Sequence, residues 1–535
     1  MINETLIDGK RPKKLPLVLG TMVYIFPALI LGLGAISSHL NGASFTSINH
    51  DYYHKPTAVL LLLILVVVGL FCIALYLKLE KKGCADRAIF ILILVALLLR
   101  LMTIYFIPVA QESDFGLYWQ MGNRIASGDI AGARTILEEF GLNSLSGLAI
   151  LNGALCAVSG NSVVGLEVAQ ALVQCVTIYA TYQIGLLVNR RVAFMAALLL
   201  AVYPSGIIYV TVSTNQHLST MFLFCSLAVL LKGLFGSMIA GYGKLVRYGT
   251  VSGVLLALSY YSHPSTLPIM AAIAVWLIYA VLKKPRVIKM CIVVMVSVVV
   301  SYSGAKVLGD AALMAIGVTG QSSDNGSMLG KFVVGLNYET TGQVVSPYKG
   351  YVNEMDLLNH IPKDQLREYC LDRIYERATD PRVVELLVKK ERYMWHEIDN
   401  SHIWVEISSN AWAKNEGKVP GVDNLFELSL CEAFKKVDYV FLLLVYGVFS
   451  VTSAMIAWLS WRGGDKGEIV RIRELFMLPM LALDAWIVVF LLIEIQGRYR
   501  YAMMPIVFLV SAIGITFMMK KVKRRLDGSQ MKLGR

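Results

Sequence analysis

Apolar runs of about 20 residues, separated by short polar turns, recur along most of this chain. A helix needs about that length to cross the hydrocarbon core of a bilayer, so each run predicts a membrane-spanning helix. The predicted spans are Leu17–Ile36, Thr57–Leu77, Ala88–Pro108, Val163–Val188, Val192–Thr211, Leu218–Phe235, two short spans on either side of Ser262–Pro264 within Tyr248–Leu282, Val287–Leu308, Tyr439–Ser460, Leu475–Ile495 and Tyr501–Met519. Together they predict an all-α, polytopic membrane protein with about 12 transmembrane helices.

Two stretches between these spans have a different pattern. Leu145–Val158 is apolar but too short to cross a bilayer, and it predicts an interfacial or re-entrant helix. Val109–Ser144 is polar and rich in aromatic residues, which is typical of a loop. Within that loop, Phe115–Ala126 has the pattern of an amphipathic helix lying in the membrane interface, and Gly128 ends it.

One long polar segment, Gly309–Lys436, separates the last three predicted spans from the others. It carries signals of soluble helices, such as Asp380 as a cap followed by Pro381 in the first turn. It also holds Cys370 and Cys431, which either pair as a disulfide, if their compartment is oxidising, or remain free thiols. We call Gly309–Lys436 the polar segment, and it predicts a mostly helical domain outside the bilayer.

The composition agrees with a membrane protein. Of 535 residues, 56% are hydrophobic and 16% are charged, whereas about a quarter of residues are charged in soluble domains. The net charge of +12 would suggest nucleic acid as a partner of a soluble protein. Here the basic residues fall in short clusters between apolar runs, which leaves no basic face for a nucleic acid.

The basic clusters orient the predicted spans, because cytoplasmic loops of membrane proteins carry an excess of Lys and Arg. With the N-terminus in the cytoplasm, and with Leu145–Val158 not counted as a span, every cluster falls on the cytoplasmic side. The clusters are Lys78–Arg87, Arg190–Arg191, Lys244–Arg247, Lys283–Arg286, Arg462–Arg473 and Lys520–Arg525. We therefore expect a multi-pass protein of the cell membrane with both termini cytoplasmic and the polar segment outside.

These elements divide the chain into successive regions. They are an N-terminal two-span addition (1–87), a membrane core with an outer loop at 109–144 (88–308), the extracytoplasmic domain (309–436), the C-terminal spans (437–519) and a basic cytoplasmic tail (520–535).

Ionisable residues gather where this topology places the outer face. Asp114, close to Glu112, either caps the following helix or accepts a proton from an incoming hydroxyl. The positive-inside rule does not explain Arg498 and Arg500. Their planar guanidinium groups suit the phosphate of either a substrate or a lipid headgroup.

Other polar residues are more ambiguous. His217 and His263 lie at outer span ends, where a histidine is either a hydrogen-bonded polar group or part of a site. Asp484 lies inside a span, where an ionisable residue suggests function. Neither His217 nor His263 has a second histidine at metal-ligand spacing, so no metal site is predicted at these residues, and the sequence contains no phosphate-binding loop or serine-nucleophile motif.

Several short motifs are similar to those of one enzyme family. They are Ser113–Phe115 with Tyr118 and Ala126–Gly128, Ala201–Pro204, Thr214–Leu218, Ser262–Pro264, Val334–Asn337 with Gly342, Lys390 and Trp395, and Glu494 with Arg498, Tyr499 and Pro505. From Ala88 to Met519 the chain resembles the C-type (GT-C) glycosyltransferase superfamily, in the branch of protein O-mannosyltransferases and the lipid A aminoarabinose transferase. Three positions depart from that family's pattern: Phe115 replaces a second acid, Gln216 a glutamate, and His263 an arginine.

The resemblance implies a GT-C-like fold and an inverting membrane glycosyltransferase. Such an enzyme takes a sugar from a polyprenyl-phosphate lipid at the outer face and transfers it to a hydroxyl of a glycan, lipid or protein acceptor. Asp114 would be the catalytic base. The expected substrate-binding residues are Glu112, Gln216, His217, His263, Arg498, Tyr499 and Arg500. No cofactor is identified, and a requirement for a divalent metal ion stays open.

Other functions remain compatible with the sequence. A flippase or transporter of lipid-linked saccharides also has about 12 spans with both ends inside. A polymerase or ligase of surface glycans would share the outward face and the polyprenyl substrate. A noncatalytic relative is a further alternative, which the replacements at Phe115 and Gln216 leave open.

Overall fold

Long helices connected by short turns make up the chain wherever the structure describes it. The structure is a computed structural model, and it describes residues 14–40, 52, 54–236, 241–264, 266–319, 326–344, 354–396, 400–462 and 468–533. Within these ranges there is no β-strand. The all-α class predicted from the apolar runs is therefore confirmed.

Helices α1 to α13 precede the polar segment or run into it. They are α1 Lys14–Leu40, α2 Lys55–Lys81, α3 Ala88–Phe106, α4 Ser113–Ala126, α5 Ile130–Glu139, α6 Ser146–Val158, α7 Val163–Leu186, α8 Arg190–Ala201, α9 Pro204–Ile208, α10 Gln216–Phe235, α11 Tyr242–Ser262, α12 Leu267–Lys283 and α13 Ile288–Ile316. Single turns of 3-10 helix lie at Ala85–Arg87, Asn143–Leu145, Tyr209–Thr211 and Pro285–Val287.

The remaining helices belong to the polar segment and the C-terminal spans. They are α14 Gly326–Gly335, α15 Glu354–Asn359, α16 Lys363–Ala378, α17 Val383–Trp395, α18 Asn400–Asn415, α19 Leu425–Arg462, α20 Glu468–Leu492 and α21 Met504–Leu533, with a 3-10 helix at Gly497–Met503. Both predicted boundaries of the polar segment lie inside helices, since α13 continues past Leu308 and α19 begins at Leu425.

Nine helical stretches in the described residues are long and apolar enough to cross a bilayer. They are Leu15–Ser37, Lys55–Lys81, Ala85–Phe106, Val163–Leu186, Gln216–Phe235, Pro285–Ile316, Leu425–Arg462, Glu468–Leu492 and Gly497–Lys521. A tenth results if Arg190–Ala201 and Pro204–Thr211, which meet at 58°, form one broken span. A multi-pass membrane protein follows from these helices.

The count of twelve spans stays a prediction, because it depends on the run Tyr248–Leu282. The helices end and restart as predicted: α11 ends at Ser262 and α12 begins at Leu267. However, α12 has 17 residues, which is short for a span.

The broken span is stabilised by a buried arginine. Pro204 has no backbone N–H to continue α8, so the carbonyls at the end of that helix lack helical partners. Arg100, 1% exposed, donates from Nη1 to Ala201 O at 3.2 Å and from Nη2 to Leu200 O at 3.5 Å. A cation at a helix C-terminus also complements the helix dipole. Arg100 therefore satisfies backbone groups that have no access to water inside the bundle.

The first helix is built into the bundle. Tyr24 on α1 is fully buried, and its hydroxyl donates to Arg473 O on α20 at 2.9 Å. A Cβ added to Gly32 would lie 2.8 Å from Ser450 Oγ on α19. α1 thus packs one face against the C-terminal spans, while residues such as Met22 and Leu33 on it remain exposed.

The two short helices α4 and α6 pack against each other. A Cβ added to Gly122 would lie 2.8 Å from the Cβ of Asn152, so the two backbones approach closely. Asn152 Nδ2 also donates to Tyr118 O at 3.3 Å. With 14 and 13 residues, neither helix is long enough to span. The predictions of short helices at Phe115–Ala126 and Leu145–Val158 are confirmed.

The polar segment is helical in its described parts. α17 begins at Val383, later than the predicted start at Asp380 and Pro381, although Asp380 Oδ1 does accept from Arg382 N at 2.7 Å. Cys370 and Cys431 are both buried free thiols, and they pack in different hydrophobic clusters. Of the two states that the sequence left open, the structure has free thiols at both positions.

Candidate functional site

Asp114 begins a helix from a strained turn. It is the second residue of α4, and Ser113 before it has φ 53°, in the left-handed region that residues with a side chain rarely adopt. Such strain is often found at functional sites. The Asp114 side chain is 46% exposed, and its Oδ2 accepts a hydrogen bond of 2.8 Å from Arg498 Nη2. The carboxylate is thus fixed on one side and accessible on the other.

Arg498 is a nearly buried cation with hydrogen-bonding capacity left over. It lies on the 3-10 helix Gly497–Met503 and is 5% exposed. Its Cζ lies 5.1 Å from the centroid of the Phe115 ring, an arrangement that stabilises a guanidinium over an aromatic face. Its buried Nε has no acceptor within the described parts of the chain. An anion placed beside Asp114 would complete its coordination.

Aromatic side chains surround this pair. The Phe115 ring makes edge contacts with Tyr118, Tyr209 and Trp404, at centroid distances of 6.4, 6.3 and 6.1 Å. Burial, followed by the negative charge of Asp114, raises the pKa of Tyr118 above its ordinary value. Tyr118 therefore keeps its hydroxyl proton, and the aromatic rings beside the ion pair are uncharged.

A second polar cluster lies next to Arg498, around Glu494. Tyr499 Oη and Gln496 Nε2 donate to Glu494 Oε1 at 3.1 and 3.0 Å, and Lys331 Nζ lies 4.0 Å from Glu494 Oε2. The His263 ring makes an edge contact with Tyr499 at 5.9 Å. Tyr499 and His263, two of the predicted substrate-binding residues, therefore lie close to Arg498.

Arg500 points in another direction. It is fully buried, and its Nη1 donates to Met394 O at 3.3 Å and Trp395 O at 3.1 Å, the last carbonyls of α17. Its Nη2 lies 3.8 Å from Asp438 Oδ2. The structure therefore places Arg498 beside Asp114 and Arg500 beneath the end of α17.

His217 lies in a buried network rather than on an accessible surface. It is 1% exposed; its ring lies within 3.1 Å of Tyr501 Oη, Gln174 Nε2 and Tyr209 O. Gln174 Oε1 in turn accepts from Arg100 Nε at 2.5 Å. The network reaches the candidate site through Tyr209, whose ring contacts both His217 and Phe115.

The other predicted residues are placed as follows. Gln216 is 2% exposed, with its backbone N–H donating to Thr214 Oγ1 at 3.2 Å. Glu112 is partly exposed and precedes α4 in an extended conformation. Asp484 lies within α20, and its buried Oδ1 has no donor within the described ranges.

Gln111 is a residue that no sequence pattern identified. Its Oε1 accepts from Ser213 N at 2.7 Å, and its Nε2 donates to Thr211 O at 2.9 Å and to Glu167 Oε1 at 3.3 Å. It thereby ties the turn before Asp114 to the broken span and to α7. A single glutamine in a polar loop carries no pattern that would reveal this role.

The arrangement suits proton transfer next to a bound anion. Asp114 can accept a proton from a hydroxyl, and Arg498 can hold an anionic group close by. Across the described residues, no three His, Cys, Asp or Glu side chains come together to hold a metal ion. No family model, no curated protein and no solved structure matches the chain.

Proposed function

We propose that this protein is a membrane glycosyltransferase that moves a sugar from a polyprenyl-phosphate donor to a hydroxyl of a cell-envelope acceptor. The observation that carries the proposal is the contact of 2.8 Å between Asp114 and Arg498, with the carboxylate accessible and the guanidinium almost buried. A phosphodiester donor and a hydroxyl acceptor are the substrates that need an anion-binding fork and a base at adjacent positions.

The reaction would take place on the face of the bundle that bears the polar segment. Basic residues gather at the opposite face, where Arg190 pairs with Asp86 and Arg191 with Glu80, each at 2.9 Å. Arg190, Arg191 and Lys520 line one cavity of about 460 Å³ there. By the positive-inside rule that face is cytoplasmic, so the candidate site and the polar segment are outside.

The proposed chemistry is a single displacement at the sugar. The acceptor oxygen attacks the anomeric carbon, the bond from that carbon to the phosphate oxygen breaks, and the bonding electrons remain on the phosphate. The acceptor proton moves to Asp114, for which Oδ1 is the available oxygen because Oδ2 is bound to Arg498. Arg498 offsets the charge that grows on the leaving phosphate. The configuration at the sugar carbon inverts.

The test is a transfer assay with the purified protein in lipid nanodiscs. The donor is polyprenyl phosphate carrying radiolabelled mannose, glucose or aminoarabinose, and the acceptor is an extract of cell-envelope glycans, lipids and proteins. We expect release of free polyprenyl phosphate that requires the extract, with the label recovered in an extract component. Retained configuration at the anomeric carbon of the transferred sugar would contradict the displacement mechanism.

The competing functions give different results in matched assays. In vesicles, movement of the intact labelled lipid across the bilayer without cleavage would contradict the transferase and support a flippase. Products carrying long runs of transferred sugar would instead support a polymerase. The variant Lys389→Met, which alters an exposed side chain of the polar segment, serves as the control and should behave as the wild type.

A further inference from the structure

A buried lysine joins three separate segments of the chain next to the candidate site. Lys390 on α17 is fully buried, and its Nζ donates to Gly335 O and to Ile493 O, both at 2.7 Å. Gly335 ends α14, and Ile493 follows the last residue of α20. One amine therefore connects α17, the end of α14 and the residue that precedes Glu494.

Backbone hydrogen bonds reinforce this junction. Glu494 N donates to Lys331 O at 2.8 Å, and Ile495 N donates to Gly342 O at 2.9 Å. Gly342 has φ 71°, and a Cβ there would lie 2.9 Å from Lys390 Cε. The lysine stem therefore fills the space that a side chain at position 342 would need, so the junction is built around Lys390.

Arg500 holds the other end of residues 493–500. Its Nη1 bonds to Met394 O and Trp395 O satisfy carbonyls that the end of α17 leaves without helical partners. Its charge also complements the dipole of that helix. Asp438 beside it is fixed in turn, because its Oδ1 accepts from Ser205 N at 3.1 Å.

The polar segment also contacts the Asp114 side of the site. Ala110 N donates to Ser408 O on α18 at 2.9 Å, and the ring of Trp404 on α18 contacts Phe115. α17 and α18 therefore hold the two halves of the ion pair, which come from distant parts of the sequence.

We propose that Lys390 and Arg500 are positioning residues. They hold residues 493–500 against α17 and thereby set the position of Arg498 opposite Asp114. Only the effect of this positioning on catalysis rests on the proposed function. Arg498 lies between the two anchors, so loss of either anchor frees the turn that carries the guanidinium. Arg500 then acts through Arg498 and does not touch the phosphate.

The first test measures the anchoring without using activity. Lys390→Met keeps the unbranched stem and removes the donor, and Lys389→Met makes the same change at the neighbouring exposed position. We expect amide hydrogen exchange of residues 493–503 to quicken at least tenfold in Lys390→Met, with exchange in Glu468–Leu492 and in Lys389→Met unchanged. Wild-type exchange at 493–503 in folded Lys390→Met would overturn the positioning role, whatever the protein's activity.

The second test measures the catalytic consequence. In Lys390→Met and Arg500→Lys we expect kcat for sugar transfer to fall at least tenfold, and Lys390→Arg to recover part of it, while the midpoint of thermal unfolding stays above the assay temperature. A wild-type kcat in both folded variants would overturn the link to catalysis. Faster exchange in Lys390→Met, combined with a wild-type protein that transfers no sugar, would contradict the proposed function and leave the anchoring intact.

Discussion

The carboxylate of Asp114 accepts a hydrogen bond of 2.8 Å from the guanidinium of Arg498, although 384 positions separate the two residues in the chain. One partner starts a short helix between two predicted spans, and the other lies on a 3-10 turn before the last span. Their contact joins the membrane core to the C-terminal spans, beside the polar segment.

Arg498 should be needed for use of the lipid donor. Arg498→Lys keeps the charge but loses the planar fork, so we expect kcat/KM for polyprenyl-phosphate sugar to fall by about 10- to 100-fold. That range corresponds to ~1.5–3 kcal/mol for a hydrogen bond to a charged group. Initial rates over a series of donor concentrations measure the change. Arg382→Lys, at an exposed arginine, is the matched control, and an equal effect in both variants would argue against a phosphate role.

Ser113 should be a strained position. Its φ of 53° is one that glycine adopts freely, and a left-handed conformation costs about 1–2 kcal/mol for other residues. We expect Ser113→Gly to raise the midpoint of thermal unfolding and Ser113→Val to lower it. Ser127→Gly is the control, because Ser127 has φ −85° and glycine relieves nothing there. A lower midpoint in Ser113→Gly would contradict the strained turn.

Lys390 should make stability depend on pH. Burial lowers the pKa of Lys390 from 10.5 to about 7. The folded state therefore releases this proton at a lower pH than the unfolded state, which binds more protons between about pH 7 and 10.5. The free energy of unfolding should rise with pH across that window and be independent of this group below it.

The comparison that isolates this effect uses neighbouring lysines. Unfolding of the wild type and of Lys390→Met and Lys389→Met is measured at pH values from about 7 to 10, the window set by the lowered pKa. The rise with pH should be smaller in Lys390→Met and retained in Lys389→Met. The same slope in all proteins would mean that Lys390 titrates normally in the folded state.

Arg100 should stabilise the broken span. Arg100→Met leaves the carbonyls of Ala201 and Leu200 without this donor, and each orphaned buried group costs about 1–3 kcal/mol. We expect thermal stability to decrease in the order wild type, Arg100→Lys, Arg100→Met, because a lysine amine can still donate to a carbonyl. Stability equal to wild type in Arg100→Met would show that the helix end does not depend on it.

Hydropathy was sufficient to locate most helices, because an apolar helix in a bilayer is specified by its own composition and needs no knowledge of its neighbours. The break at His263 and the short helix at Leu145–Val158 were also visible, from polarity and length. The packing of α1 against the C-terminal spans was not visible, because it depends on contacts such as Tyr24 with Arg473.

The site was visible as residue types but not as geometry. Arg498 and Arg500 carry the same signal in the sequence, two arginines at the end of a span. Only tertiary structure directs one to Asp114 and the other to the carbonyls of α17. Arg100 did have a signal, since an arginine inside an apolar run is costly and rarely without purpose.

The most direct test of Asp114 as the catalytic base is a single-turnover measurement on Asp114→Asn. Asparagine keeps the shape of the side chain, but it cannot take the acceptor proton. With labelled polyprenyl-phosphate sugar and saturating acceptor, we expect sugar transfer at least about 100-fold slower than in the wild type, with donor binding retained. Transfer at the wild-type rate in folded Asp114→Asn would contradict Asp114 as the catalytic base.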